Sequence, residues 1–142
     1  MGNGNNVGST SGEWADFGLT HLRFDVGDDG IATVLIDVEG ETMNVLGQGL
    51  AEDLELVITR VRRDPSIRAL VVGSAKPNGF LAGADIKMLD RLGSQDEATR
   101  GSREGQAGMA RVESVWKEAR KPVVAAIHGP CLGGGLELAL AR

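Results

Sequence analysis

Apolar residues follow two rhythms along this chain. Leu22 to Val26 and Ile31 to Val38 are short β-branched runs around Gly27-Asp28-Asp29-Gly30, whose residues suit a tight reversal. They predict an antiparallel hairpin. Between Gly49 and Arg63 the rhythm becomes helical, with Leu50, Leu54, Val57, Ile58 and Val61 on one face. Arg60, Arg62 and Arg63 fall in the last turn, where the helix dipole favours cations, and Asp64-Pro65 ends the helix. Ala69 to Ser74 is continuously apolar but for its last residue, as in a parallel strand covered on both faces. Lys76-Pro77-Asn78-Gly79 turns the chain, and Asp85 to Leu92 predicts a short helix with Asp85 as its N-cap. The polar stretch from Gly93 to Gly108 fits a helix, a loop or a mobile segment alike. Helical spacing returns with Met109, Val112, Val115, Trp116 and Ala119. Val123 to Ile127 predicts another buried strand, and a glycine turn leads from it into a last helix.

The order of hairpin, helix, strand, helices, strand and helix predicts an α/β fold with a largely parallel sheet and right-handed crossovers. Ligands of such sheets sit outside the carboxyl ends of the strands. Gly83-Ala84 and Gly133-Gly134-Gly135 both follow strands, so both turns are expected to open on the same side. A chain of 142 residues that is 42% hydrophobic can build one real core. Gly, Asn, Ser and Thr dominate the beginning, so residues 1–20 are read as a flexible tail and 21–142 as the domain.

Charge and cysteine content narrow the function. A net charge of −5 argues against bulk nucleic-acid binding. Cys131 is the only cysteine, which excludes an intramolecular disulfide and a Cys-rich metal site. No run reaches transmembrane length, and the first twenty residues carry no Lys or Arg for a signal or transit peptide. A cytoplasmic location is the expectation.

The glycine turns carry the candidate chemistry. Glycine lets backbone amides approach a ligand, and at a helix start those amides have no intrahelical acceptor. Amides of Ala84 and Gly134 would together stabilise a carbonyl oxygen that becomes negative. Glu137 follows Gly134 by three residues, where its carboxylate would sit near that carbonyl and move a proton. Glu137 equally fits a helix-capping box at N3, and the three glycines equally fit close helix–strand packing. Asp85 reads as a cap, Lys87 as a solvated lysine, His128 as a turn residue and Cys131 as a small buried hydrophobe. Neither a P-loop nor a dinucleotide fingerprint is present.

Phe80-Leu81-Ala82-Gly83-Ala84-Asp85-Ile86-Lys87-Met88 and Ala126-Ile127-His128-Gly129-Pro130-Cys131-Leu132-Gly133-Gly134-Gly135-Leu136-Glu137-Leu138-Ala139 resemble the two signature segments of the crotonase (enoyl-CoA hydratase/isomerase) superfamily. The wording is most like the N-terminal domain of the multifunctional α-subunit of fatty-acid β-oxidation, and the likeness runs from about Leu22 to Arg142. The resemblance implies a crotonase-like spiral of ββα units. It also implies hydration of a trans-2-enoyl-CoA, with isomerisation as a further activity. By position, Ala84 and Gly134 would hold the thioester carbonyl, and Glu137 would be the first catalytic glutamate. Ala82, Gly83, Ala84, Asp85, Ile86, Lys87, Gly133 and Gly134 would line the substrate site, with Lys87 near the CoA phosphates. No metal or cofactor is implied, and NAD would enter only with a downstream dehydrogenase domain. The partners implied are an acyl-CoA substrate and either further copies of the chain or a thiolase β-subunit. The family's hydratases use a second glutamate after the next strand, and this sequence ends at Arg142, before it. The 142 residues are therefore expected to be a C-terminally incomplete piece, inactive alone. Rival readings are another crotonase-fold CoA-thioester enzyme, a non-catalytic acyl-CoA binding module, or an unrelated α/β protein whose glycines serve packing.

Overall fold

The computed structural model describes residues 18–84 and 93–141. Four strands form one sheet in the order β1 (Leu22–Val26), β2 (Ile31–Ile36), β3 (Ala69–Ser74) and β4 (Val123–Ala125). β1 and β2 are antiparallel, with Leu22 opposite Ile36 and Val26 opposite Ala32. β2, β3 and β4 run parallel, Ile31 pairing with Ala69 and Leu70 with Val123. The helices are α1 (Gln48–Arg63), α2 (Gln95–Lys117) and α3 (Gly134–Leu140). The expected helix at Asp85 to Leu92 lies outside the described residues, as do residues 1–17.

The hairpin closes as its sequence suggests. Gly30 stands at φ 79°, and a Cβ there would lie 2.6 Å from the Ser66 carbonyl oxygen. Both the backbone twist and the neighbour demand glycine. β2 stops at Ile36, two residues before the expected Val38. There Asp37 N–H donates to the His21 carbonyl, and Val38 N–H donates to the Asn44 side chain instead of a strand. β4 likewise stops at Ala125 instead of Ile127. Its ladder closes when Ala126 N–H donates to Val72, and the chain then turns towards Gly79, whose added Cβ would lie 2.8 Å from Pro130 Cδ. At the other end the folded part begins earlier than residue 21. Leu19 packs on the core, and the Asp53 carboxylate accepts from Thr20 and His21 N–H at 2.9 and 2.6 Å.

Ala32, Val34, Ile36, Leu70 and Val72 form one buried face under Leu50, Val57, Ile58 and Val61 of α1 and Val112 and Val115 of α2. β3 was expected to be covered on both faces. Its burial alternates instead, with Leu70 and Val72 buried and Ala69 and Val71 only half-buried. On β4, Val124 is 51% exposed, so among the described residues the helices cover a single face. Lys121, just before β4, donates its ammonium to the carbonyls of Val61 and Asp64 and so caps the end of α1. Burial lowers its pKa, partly offset by Asp64.

The polar stretch whose structure the sequence leaves open is helix. α2 runs 23 residues without a break, through Gly101, Gly105 and Gly108. Ser94 caps it by accepting from Glu97 N–H at 3.2 Å, and the Glu97 carboxylate accepts from Gly93 N–H at 2.8 Å. Ser94-Gln95-Asp96-Glu97 is a capping-box sequence, the signal that marks this start.

Candidate active site

Beyond the strand ends, three extended segments lie side by side: residues 44–46, 80–84 and 130–134. Leu46 bridges Ala84 and Leu81 bridges Cys131, both in parallel sense. Leu46 N–H donates to the Gly83 carbonyl at 2.7 Å and Ala82 N–H to the Asn44 carbonyl at 2.9 Å. On the other side Phe80 N–H donates to Pro130 at 3.0 Å and Leu132 N–H to Leu81 at 3.1 Å.

These bonds bring the two glycine turns together, as expected. Gly83 has φ 113° and Gly133 φ 50°, both in the region that favours glycine. A Cβ on Gly83 would lie 3.3 Å from the Leu132 carbonyl oxygen and 4.0 Å from Gly134 N, and one on Gly133 would lie 3.9 Å from Gly83 Cα. The two backbones thus run past each other with no side chain between them. Among the described residues, neither Ala84 N–H nor Gly134 N–H donates to an acceptor. Gly134 opens α3, while Ala84 is exposed beside it. Gly135 binds the turns further, because a Cβ there would meet the Leu81 carbonyl oxygen at 2.4 Å.

Glu137 is exposed on α3, one turn after Gly134. The capping-box alternative for it is not built. The N-cap is Gly133, which puts Leu136 at N3 and Glu137 one residue further on. Among the described residues its carboxylate accepts no hydrogen bond, and its own N–H donates to the Gly133 carbonyl at 3.1 Å. Ala82 is half-buried and Gly83 buried, while Asp85, Ile86 and Lys87 lie outside the described residues. His128 is a turn residue as expected, with Nε2 at 2.8 Å from the Lys76 carbonyl. Cys131 is half-buried against the core, and burial pushes its thiol pKa up. Among the described residues no three His, Cys, Asp or Glu side chains are grouped to hold a metal ion, and no helix is long and apolar enough to cross a membrane.

Asn44, whose Asn44-Val45-Leu46 loop fits the family resemblance but has no role assigned by the sequence, stands beside these turns. It is buried, and its amide reaches Ile36, Val38, Ser74 and Phe80. Besides that likeness, the sequence hints at it by an asparagine inside the apolar run Met43-Asn44-Val45-Leu46.

A model of the enoyl-CoA hydratase/isomerase family matches residues 27–142. The chain belongs to this family. It is 46% identical over 120 residues to the fatty acid oxidation complex subunit alpha of Idiomarina loihiensis, and 48% identical over 114 residues to that of Shewanella amazonensis. These matches take in 84% and 80% of this chain but 16% of each relative, so the chain spans a small part of their length. The enoyl-CoA hydratase from Bacillus anthracis superposes with a TM-score of 0.75 at 27% identity, covering 86% of this chain and 45% of that one. Pseudomonas aeruginosa DspI superposes at 0.72 with 30% identity, covering 85% and 43%. The expected crotonase-like α/β fold is therefore found, and the paired glycine turns are this family member's own backbone feature.

Proposed function

We propose that these residues supply the thioester-holding turns and one proton-transfer carboxylate of an enoyl-CoA hydratase acting in fatty-acid oxidation. The observation that carries the reading is the juxtaposition of two glycine turns whose Ala84 and Gly134 N–H groups have no acceptor among the described residues. The carbonyl oxygen of a trans-2-enoyl-CoA accepts from both. Water then adds at C3, the π electrons move through C2 to the thioester oxygen, and the two amides stabilise the resulting enolate oxygen. C2 takes up a proton to give the 3-hydroxyacyl-CoA. Glu137 moves a proton in this sequence, from the attacking water or to the enolate carbon. Ala82, Gly83, Asp85, Ile86, Lys87 and Gly133 complete the binding surface for the CoA thioester, with Lys87 towards its phosphates. Shifting the double bond of an enoyl thioester draws on the same amides and carboxylate, so isomerisation is compatible with this site. The reaction as written consists of oxyanion stabilisation and proton transfer, and draws on no metal or redox cofactor. The relatives' name, a subunit of a complex, supports assembly of the full-length protein with a second kind of subunit.

Two substitutions in the full-length protein test the reading. Glu137→Gln removes the proton acceptor but keeps the shape. It should cut hydration by orders of magnitude while affinity for a saturated acyl-CoA survives. Gly134→Pro deletes one amide donor at the first helical position, where proline is tolerated. It should lower kcat by about 100-fold or more. If both variants hydrate crotonyl-CoA at the wild-type rate, the reading is wrong.

A further inference from the structure

Asn44 has 1% of its surface exposed, and its amide is fully engaged. Oδ1 accepts from Val38 N–H at 2.9 Å. Nδ2 lies 3.0 Å from the Ile36 carbonyl oxygen, 3.0 Å from that of Phe80 and 2.9 Å from Ser74 Oγ, so its two protons serve three acceptors. The orientation of the amide has no alternative. Val38 N–H can only donate, and the two carbonyls can only accept. The partners belong to three different places: the end of β2, the end of β3, and the first residue of the 80–84 segment. The backbone extends the connection, with Ala82 N–H on the Asn44 carbonyl, Leu46 N–H on the Gly83 carbonyl, and Leu46 bridging Ala84.

We propose that Asn44 is the positioning residue of the oxyanion site, the group that sets Ala84 N–H relative to Gly134 N–H. The inference rests on the functional reading above. Phe80 is fully buried and stands four residues before Ala84, so its carbonyl anchors the start of the segment, while the Gly83 carbonyl, in the same peptide unit as Ala84 N–H, is held by Leu46 N–H two residues after Asn44. Asn44 ties the Phe80 carbonyl to the ends of β2 and β3. On the far side, Gly134 is held by the contact of Gly135 with Leu81 and by the bond from Leu132 to Leu81. A donor aimed at developing charge loses much of its effect when displaced by a fraction of an ångström. Asn44 touches no reacting atom and acts through the position of Ala84 alone.

The test uses the full-length protein and the Asn44→Asp variant, which keeps the side-chain shape but sets a second acceptor oxygen against the Ile36 and Phe80 carbonyls. Three quantities are read: kcat for crotonyl-CoA, the affinity for a saturated acyl-CoA, and the thioester carbonyl stretching frequency of the bound ligand by isotope-edited infrared spectroscopy. The expected result is a fall in kcat of about 10-fold to 100-fold, nearly unchanged affinity, and a bound carbonyl frequency moved back towards its value in water. Ser74→Ala, which removes only one of the three acceptors, should move kcat and frequency the same way by less. It carries the test if Asn44→Asp does not fold. Wild-type kcat and frequency in the folded variant, or a loss of thermal stability alone, overturn the positioning role. A wild-type protein that neither hydrates crotonyl-CoA nor shifts the carbonyl frequency overturns the functional reading instead, and the positioning role with it.

Discussion

Asp37 stands just beyond the end of β2, between two cations. Lys76 Nζ is 2.9 Å from Oδ1, its side chain largely buried, and Arg23 meets Oδ2 from the more open side. The hydrogen bond from Lys76, then that from Arg23, holds the Asp37 carboxyl below the ordinary aspartate range. The Ser66 hydroxyl does the same for Asp64 at the end of α1. A depressed carboxyl contributes stability that is fully present above its unfolded pKa, about 3.9, and is lost as the pH falls through the folded value. The wild type should therefore be more stable than Asp37→Asn at neutral pH, and the gap should close below about pH 4. Urea midpoints measured from pH 7 down to pH 3 would show it, and a gap that stays constant over this range would contradict it. None of this is legible in the sequence, because Arg23, Asp37 and Lys76 meet only through strand pairing and a turn. The role of Asn44 was hidden for the same reason, although its loop fits the family resemblance. A buried amide is recognised by its partners, and Ser74 and Phe80 lie 30 and 36 residues further along.

At the scale of elements, periodic segments were readable and interrupted ones were not. The spacing of Leu50, Leu54, Val57, Ile58 and Val61 gives α1 to within one residue. α2 escapes because its first half is polar and the helix holds three glycines, each costing about 1 kcal/mol relative to alanine in a helix. Its capping sequence at Ser94 and its apolar second half on α1 outweigh that cost. Propensity and packing oppose each other more sharply in α3. Gly135 has ordinary helical geometry, so propensity alone predicts that Gly135→Ala stabilises by about 1 kcal/mol. The alanine Cβ would, however, stand 2.4 Å from the Leu81 carbonyl oxygen and 3.0 Å from its carbon, backbone atoms that cannot turn aside. Packing wins, and the variant should lose about 1–3 kcal/mol of stability and displace Gly134. Thermal unfolding decides the sign, and a raised melting temperature would show that α3 can lift off Leu81 without penalty.

For the molecule as a whole, the βαβ order and the two glycine motifs made the fold and the meeting of the two glycine turns readable in the sequence. The covering of the sheet was not readable, since an apolar strand does not reveal what faces it. Leu136 and Leu140 stand one turn apart on α3, 46% and 63% exposed, with Leu132 just before the helix at 59% and Ile127 at 49%. An apolar stripe of this kind marks a contact surface or an aggregation liability. The 142-residue chain in isolation is expected to bind a hydrophobic dye and to self-associate. Leu136→Lys with Leu140→Lys should reduce both effects, as read by fluorescence and light scattering, whereas a dye-silent monomer would mean the stripe is shielded. The site itself has a different character. In the reading given above its donors belong to the main chain, so any residue except proline at position 84 brings the same N–H. For the oxyanion donors, what must be inherited is a conformation, held by glycines and by Asn44, and not the side chain at position 84. Under the proposed function, residues near the turns other than these glycines, Asn44 and Glu137 could drift in size and polarity, and with them the acyl group accepted, while the place proposed for the thioester oxygen would persist.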